Sequence, residues 1–206
     1  MKLKLHYLDR SRAMRVTWLL EHIGLPYELI PHKRQENMHA PEALKDIHPL
    51  GKAPLLEIDG KVITESVAMV EWIIANHAPQ LAPATDSPEY ADYLQWLQFS
   101  ESTAMIPLVL KFIAAREPTP PQNTLAYADS EIEKVYDYVN RQLANKRYIM
   151  GDKLTGADFA LAFSLIFMKM VYQGKFTHID RYLADLNQLP SWQKAQQIEQ
   201  QVLQGK

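Results

Sequence analysis

The hydrophobic pattern of the first 77 residues alternates between strand and helix periods. Residues 2–7 read Lys-Leu-Lys-Leu-His-Tyr, and this alternation predicts a strand. Residues 15–23 carry apolar side chains at helical spacing and are followed by Gly24, which predicts a helix that ends at this glycine. The same patterns predict a strand over 27–31, a short helix over 43–47, strands over 55–58 and 61–63, and a helix from 67 to about 77.

A hairpin is predicted where Asp59-Gly60 separates the last two of these strands, because this dipeptide adopts the backbone angles of a tight hairpin turn. The predicted order in the first part of the chain is therefore β-α-β-α-β-β-α. Mixed strands and helices in this order predict an α/β domain.

After residue 77 the pattern contains helices only. Residues 78–88 hold three prolines and no apolar period, which predicts a linker. Long amphipathic helices are predicted over 88–115 and 122–144. Thr155-Gly-Ala-Asp158 predicts a capping box before a helix that is apolar nearly all round and therefore buried. The predicted organisation is an α/β domain over 1–77, a linker over 78–88 and an all-helical domain over 89–206.

Composition excludes several classes of function. The chain is 47% hydrophobic and 22% charged, as in ordinary globular proteins. Its net charge is -2 and its basic residues are spread along the sequence, so neither a nucleic-acid nor a membrane partner is expected. There is no cysteine, so any thiol chemistry must use a thiol that the ligand brings. No signal peptide, bilayer-spanning run or metal-ligand spacing is recognisable, and the cytoplasm is the expected location.

Pro54 stands between Ala53 and a predicted strand. A proline there is compatible with a plain edge-strand start. It is also compatible with a cis-proline that turns the backbone of Ala53 toward a groove, where Ala53 would pair with an extended peptide ligand.

Glu65 and Ser66 precede a predicted helix, and they also admit two interpretations. In the simpler one Ser66 caps the helix. In the other, its hydroxyl and the first-turn amides hold a ligand carboxylate, since a helix N-terminus favours anions, and Glu65 faces an ammonium group of the same ligand. The second interpretation suits a small peptide with an amino-acid head group.

The turn over residues 7–12 carries two hydroxyl groups, those of Tyr7 and Ser11. Ser11 is a suitable helix cap whatever the function. Alternatively, Ser11 or Tyr7 donates a hydrogen bond to an anion, such as a ligand thiolate, at the N-terminus of the first helix.

Together these segments resemble the cytosolic glutathione transferases over essentially the whole chain. The segment from His48 to Pro54, with Glu65-Ser66, is similar to the family's glutathione-binding segment, and Thr155–Asp158 is similar to the capping box of its buried sixth helix. The turn from Leu8 to Val16 is most similar to a serine-type bacterial and fungal branch. The resemblance implies a thioredoxin-like N-terminal domain and an all-helical domain that contributes the electrophile pocket.

The resemblance also implies which residues bind glutathione. The backbone of Ala53 would pair with the cysteinyl moiety, and the γ-glutamyl group would lie at the helix N-terminus. The loop from Lys33 to His39 would bind the glycine carboxylate, with no single residue indicated. The residues implied to bind glutathione are Lys52, Ala53, Pro54, Glu65 and Ser66.

Ser11 is the implied thiolate donor. The branch's usual second serine is Ala13 here, and Tyr7 lies near the position where tyrosine-type members keep their catalytic tyrosine, so Ser11 and Tyr7 compete, with Ser11 favoured. The absence of cysteine excludes cysteine-type chemistry. Glu101 resembles a position that reaches the ligand of a dimer mate, although a solvated helix charge is the simpler interpretation.

The activity implied by the resemblance is conjugation of glutathione to small apolar electrophiles in detoxification, with reduction of organic hydroperoxides as a related outcome. The alternative is a non-catalytic member of the fold that binds glutathione or a protein partner. A homodimer is expected, with glutathione as co-substrate and no other cofactor. Either an acceptor pocket or plain core is compatible with the helical side chains Trp96, Phe99, Met105, Phe112, Phe167 and Met168.

Overall fold

The computed structural model describes residues 1–205, which form one four-stranded sheet and eight α-helices. The strands are β1 Leu3–Leu8, β2 Glu28–His32, β3 Leu55–Ile58 and β4 Lys61–Ile63. The helices are α1 Ala13–Ile23, α2 Ser66–His77, α3 Glu89–Glu101, α4 Met105–Ala114, α5 Gln122–Gln142, α6 Gly156–Val171, α7 Thr177–Leu186 and α8 Pro190–Gln204. Short 3-10 helices cover Glu42–Asp46 and Pro79–Leu81.

The chain packs as two compact units. The first contains Met1–Pro79 together with the segment that begins at Asn187, and the second contains Gln80–Leu186. The division predicted from sequence placed residues 89–206 in one helical domain, whereas the structure packs α8 within the first unit. The first unit is thus built from two separate stretches of sequence.

The sheet has the strand order β2-β1-β3-β4. Strand β1 is central, parallel to β2 and antiparallel to β3. Its alternate residues Leu3, Leu5 and Tyr7 are buried, and so is His6 on the other face, because a central strand is covered on both sides. This sheet with its helices, followed by helices alone, confirms the predicted fold class.

Local turn chemistry behaves as the sequence predicts. Asp59 and Gly60 have φ values of 48° and 88°, which glycine and aspartate adopt most readily. The backbone N–H of Lys2 donates to the Asp59 carboxylate at 2.7 Å, which ties this turn to the start of β1. Gly24 follows α1 in the left-handed region with φ 67°, so the predicted helix end is confirmed.

Helix α8 completes the core of the first unit by packing on α1. The rings of Trp18 and Trp192 meet edge to face, with centroids 4.7 Å apart, a favourable arrangement for aromatic pairs. The indole N–H of Trp18 donates to the Ser191 hydroxyl at 3.2 Å. Both tryptophans are buried, so the contact removes a large apolar area from water.

The long helix predicted over 88–115 is wrong, because the structure has two helices there, α3 and α4. Between them the backbone N–H of Ala104 donates to the carbonyl of Phe99, five residues earlier, at 2.9 Å. Pro107 supplies the physical reason. A proline is tolerated in the first turn of a helix but breaks a helix interior, and the break places Pro107 in the first turn of α4.

The predicted capping box at the start of α6 is confirmed. The Asp158 carboxylate accepts the backbone N–H groups of Thr155 and Ile149, both at 2.9 Å, and the hydroxyl of Tyr182 at 3.0 Å. Burial raises the pKa of Asp158 to about 6, although these donors act to lower it. The helix behind it is largely buried, as its apolar pattern predicts.

Candidate functional site

The Ala53–Pro54 peptide bond is cis, as the second interpretation of this proline requires, and the pairing of Ala53 with a peptide ligand stays a prediction. Pro54 is buried and Lys52 is exposed. Strand β3 begins at the next residue, and Leu55 lies opposite His6 of β1. Because the two strands are antiparallel, the cis peptide bond lies beside the end of β1, where the turn that carries Ser11 begins.

Glu65 and Ser66 form the start of α2 with an unusual backbone. Glu65 has φ 64° and ψ 102°, a region that residues other than glycine rarely occupy and that is found preferentially at functional sites. Glu65 is exposed, whereas Ser66 is the buried first residue of the helix. A carboxylate in solvent therefore stands next to a hydroxyl at a helix N-terminus.

Arg15 is a residue of this site that the sequence reasoning missed. Its side chain is only 1% exposed, and its guanidinium donates to the Ser66 hydroxyl oxygen at 3.0 Å. A buried arginine requires hydrogen-bond acceptors. A signal was available in the sequence, since Arg15 lies three residues before Trp18 and four before Leu19, within the apolar stripe of α1.

The hydroxyl of Ser11 has two hydrogen-bond partners in the turn. It donates to the carbonyl of Leu8 at 2.6 Å and accepts the backbone N–H of Ala13 at 3.1 Å. Ser11 is 6% exposed and immediately precedes the first turn of α1. The N-cap itself is Arg12, so Ser11 stabilises the helix start from one residue before the cap position, and its single proton is available to a ligand only if it leaves Leu8.

Tyr7 is the other candidate hydroxyl, and it is already engaged. The side chain is fully buried and its hydroxyl donates to a carboxylate oxygen of Glu199 on α8. Burial, followed by the charge of Glu199, raises the pKa of Tyr7 far above its usual value. A proton held in this way favours a structural role for Tyr7, and the choice between Ser11 and Tyr7 as the thiolate donor stays a prediction.

Arg34 anchors the loop from Lys33 to His39, for which sequence indicated no particular residue. Its guanidinium donates to the carbonyls of Asp9 at 3.0 Å and Met38 at 2.8 Å, and its backbone N–H donates to the Asp9 carboxylate at 2.7 Å. The loop is thereby fastened to the turn that carries Ser11. Direct ligand contacts from this loop stay a prediction.

Three other expectations from the sequence concern Glu101, a metal site and a membrane-spanning helix. Glu101 is the half-buried last residue of α3, and its role toward a dimer mate stays a prediction. Within residues 1–205, no group of three or more His, Asp or Glu side chains is arranged to hold a metal ion. Over the same residues, every helix is too short or too polar to cross a membrane.

The aromatic and methionine side chains of the second unit divide between core and surface. Trp96, Met105 and Met168 are buried core residues. Phe112 and Phe167 are half-buried and pack ring to ring at 5.4 Å. Phe99 is half-buried as well and packs on Trp96, with ring centroids 5.1 Å apart, and the guanidinium of Arg116 lies over the ring of Phe112 at 3.4 Å.

Comparison with known proteins assigns the chain to a family. Residues 1–75 match the family model for the glutathione S-transferase N-terminal domain, and residues 101–190 match the model for the C-terminal domain. A curated relative, glutathione S-transferase 1 of Saccharomyces cerevisiae, is 31% identical over 88% of this chain and 86% of its own length.

Solved structures agree with this assignment. A glutathione S-transferase from Actinobacillus pleuropneumoniae is 33% identical and superposes with a TM-score of 0.86, covering 96% of this chain and 93% of its own. A glutathione transferase from Phanerochaete chrysosporium, solved in complex with oxidized glutathione, has a TM-score of 0.84 at 20% identity, covering 98% and 97% of the two chains. The latter similarity concerns the fold alone. The chain belongs to the glutathione S-transferase family.

Proposed function

We propose that this protein binds glutathione at one edge of the sheet in the first unit, activates its thiol as a thiolate and adds it to small apolar electrophiles. One structural relationship carries the proposal. The register of β1 on β3 and the hydrogen bond from Arg15 to Ser66 bring the Ser11 turn, the Ala53 backbone and the start of α2 to the same edge.

The γ-glutamyl head group fits the start of α2. Arg15 donates to the Ser66 oxygen, so the hydroxyl proton of Ser66 remains for the carboxylate of the head group. The first-turn amides of α2 add favourable dipoles for that carboxylate. The exposed carboxylate of Glu65 meets the ammonium group, and the backbone of Ala53 pairs with the cysteinyl residue, with Lys52 close to the ligand.

Ser11 is the proposed thiolate donor, and the magnitudes support a moderate activation. A hydrogen bond from a hydroxyl to a charged acceptor contributes about 1.5–3 kcal/mol, and the start of α1 adds about 0.3–1 kcal/mol. Leaving the Leu8 carbonyl costs about 1 kcal/mol. The balance corresponds to lowering the pKa of the thiol by roughly one to two units from about 8.5.

The second unit offers an apolar surface suited to the electrophile. Phe112 of α4 packs on Phe167 of α6, whose ring lies 6.2 Å from that of Phe163. Ile113 and Met170 on the same two helices are 58% and 62% exposed. Exposed apolar side chains beside half-buried rings mark a surface for an apolar ligand, and we propose this surface as the binding region for the electrophile.

The decisive experiment is a thiolate absorbance titration of glutathione bound to the protein. The pKa of the bound thiol is expected to lie below that of free glutathione, and Ser11→Ala should return it toward the free value with little loss of affinity. Ser11→Thr, which keeps a hydroxyl, is the matched control. If Tyr7→Phe abolishes the shift and Ser11→Ala leaves it intact, Tyr7 is the donor instead.

The same titration separates the enzyme from the alternative, a non-catalytic member that binds glutathione or a protein partner. Bound glutathione with the thiol pKa of the free peptide would favour the alternative. Turnover of a nitro-activated aryl chloride measures conjugation, and oxidation of glutathione by an organic hydroperoxide measures the related peroxidase activity.

Family membership also supports a homodimer that acts in the cytoplasm in detoxification, with glutathione as co-substrate and no further cofactor. Sedimentation velocity tests the dimer. A single species with the mass of one chain at micromolar concentration would contradict it.

A further inference from the structure

Glu199 of α8 binds two groups of the turn that follows β1. One carboxylate oxygen accepts a hydrogen bond from the hydroxyl of Tyr7, and the other accepts one from the backbone N–H of Arg10 at 2.7 Å. Arg10 has φ 50°, outside any regular element. The carboxylate therefore satisfies a backbone donor of the irregular segment immediately before Ser11.

The carbonyl side of the same turn is held by Arg34. Its guanidinium donates to the carbonyls of Asp9 and Arg10, at 3.0 and 3.2 Å. Burial lowers the pKa of Arg34, while the charges of Asp9 and Glu199 act in the opposite direction. Arg10 thus has its N–H bound to an anion and its carbonyl bound to a cation, which leaves its peptide units little freedom to rotate.

We infer that Glu199 is a positioning residue for the reaction, acting through Arg10 and Tyr7 to place the hydroxyl of Ser11 against the glutathione thiol. The inference rests on the proposed function of Ser11. Arg10 is the residue before Ser11, so a rotation about Arg10 moves the Ser11 hydroxyl directly. A misplacement of about 1 Å at a reacting group can cost on the order of a hundredfold in rate.

Glu199 also affects which of the two hydroxyl groups, that of Ser11 or that of Tyr7, can donate to the glutathione thiolate. By accepting a hydrogen bond from Tyr7, the carboxylate of Glu199 holds the tyrosine hydroxyl within the first unit. Because the Tyr7 hydroxyl already donates to Glu199, Ser11 is the hydroxyl that donates to the thiolate in this proposal. A residue 192 positions away from Tyr7 in sequence thus takes part in defining which hydroxyl reacts.

The test compares Glu199→Ala, Glu199→Gln and Gln200→Ala, an exposed control on the same helix. Three quantities are measured: the pKa of the bound thiol, the separate values of kcat and KM for glutathione, and hydrogen exchange of the Arg10 amide. In Glu199→Ala we expect faster exchange, a thiol pKa higher by about one unit and kcat about ten- to a hundredfold lower, with KM changed by less than about threefold.

Glu199→Gln should lie between the wild type and Glu199→Ala, because its amide oxygen still accepts the Arg10 N–H. Gln200→Ala should match the wild type. Faster exchange in a folded Glu199→Ala with unchanged thiol pKa and kcat would limit Glu199 to a structural role and overturn the inference alone. A wild-type protein whose bound thiol has the pKa of free glutathione would instead overturn the proposed function, and the inference with it.

Discussion

The guanidinium of Arg15 donates to the hydroxyl of Ser66 at 3.0 Å and so joins the buried face of α1 to the first residue of α2. The bond orients the serine that we propose to hold the glutathione head group. Ser11 takes no part in this bond, so in our proposal binding of the head group and activation of the thiol depend on different side chains. Variants of Arg15 should therefore change the affinity for glutathione, and variants of Ser11 should change the pKa of its thiol.

Replacing Arg15 with Met should weaken glutathione binding. The buried hydrogen bond that orients Ser66 is lost, and a bond from a charged donor contributes about 1.5–3 kcal/mol, so the Kd should rise about tenfold or more. Isothermal titration calorimetry measures the Kd. Arg141→Met, at a position where the side chain is 72% exposed, is the control. Unchanged affinity in Arg15→Met would contradict the proposed role of Ser66.

Replacing Tyr7 with Phe should lower the free energy of unfolding and leave the pKa of the bound thiol nearly unchanged. The variant removes a hydrogen bond to the carboxylate of Glu199 from the interior of the first unit. The free energy of unfolding should fall by about 1.5–3 kcal/mol, measured by urea denaturation. Tyr127→Phe, at a 60% exposed tyrosine, should unfold like the wild type. Equal free energies of unfolding for both variants would show that the Tyr7–Glu199 hydrogen bond does not stabilise the protein.

Replacing Asp158 with Ala should destabilise the second unit strongly. The carboxylate accepts the N–H groups of Ile149 and Thr155 and the hydroxyl of Tyr182, and removing it leaves buried donors without a partner. The expected loss is about 3 kcal/mol or more, read from the shift of the urea midpoint. The control is Asp152→Ala, at an exposed position nearby, which should shift the midpoint little.

Titration of His32 should make stability fall as the pH drops below about 6.5, and the raised pKa of Asp158 acts in the opposite direction over the same range. Burial, and then the charge of His6 at 3.1 Å, lowers the pKa of His32 below its ordinary 6.5. The unfolded chain therefore takes up a proton that the folded chain resists, so this contribution is complete above the ordinary value and is lost as the pH falls.

The slope of stability against pH is measured by urea denaturation between about pH 7.5 and about pH 5.5. His32→Gln should reduce the slope, and His39→Gln, at an exposed histidine, should leave it unchanged. The contribution of His22, whose pKa burial also lowers, and the opposing contribution of Asp158 should both remain in His32→Gln. An identical slope in the wild type and His32→Gln would contradict the assignment.

The elements that were predictable from sequence depend on neighbours close along the chain. Gly24 ends α1, Asp59-Gly60 turns the hairpin, and Thr155 and Asp158 cap α6, all through contacts within a few residues. Each of these signals is visible in a short window because its physical cause lies within that window.

The parts that were missed depend on contacts that no short window contains. Glu199 meets Tyr7 across 192 positions of sequence, and no local pattern marks it. Likewise, α8 has the amphipathic pattern of any surface helix, and nothing in that pattern indicates that it packs on α1. Pro107 is a different case, because its position was readable as a helix break and the amphipathic period around it outweighed the signal.

The packing of α8 on α1 has a consequence for the order in which the protein is made. Synthesis runs from the N-terminus and segments begin to fold as they emerge, so the four strands and α1 are complete long before residue 190 leaves the ribosome. Until then Trp18 lacks the ring of Trp192, and Arg10 lacks the carboxylate of Glu199. A nascent or prematurely ended chain would therefore carry Ser11 without the contacts that place it, and the proposed reactivity toward glutathione would arise only when translation has passed α8.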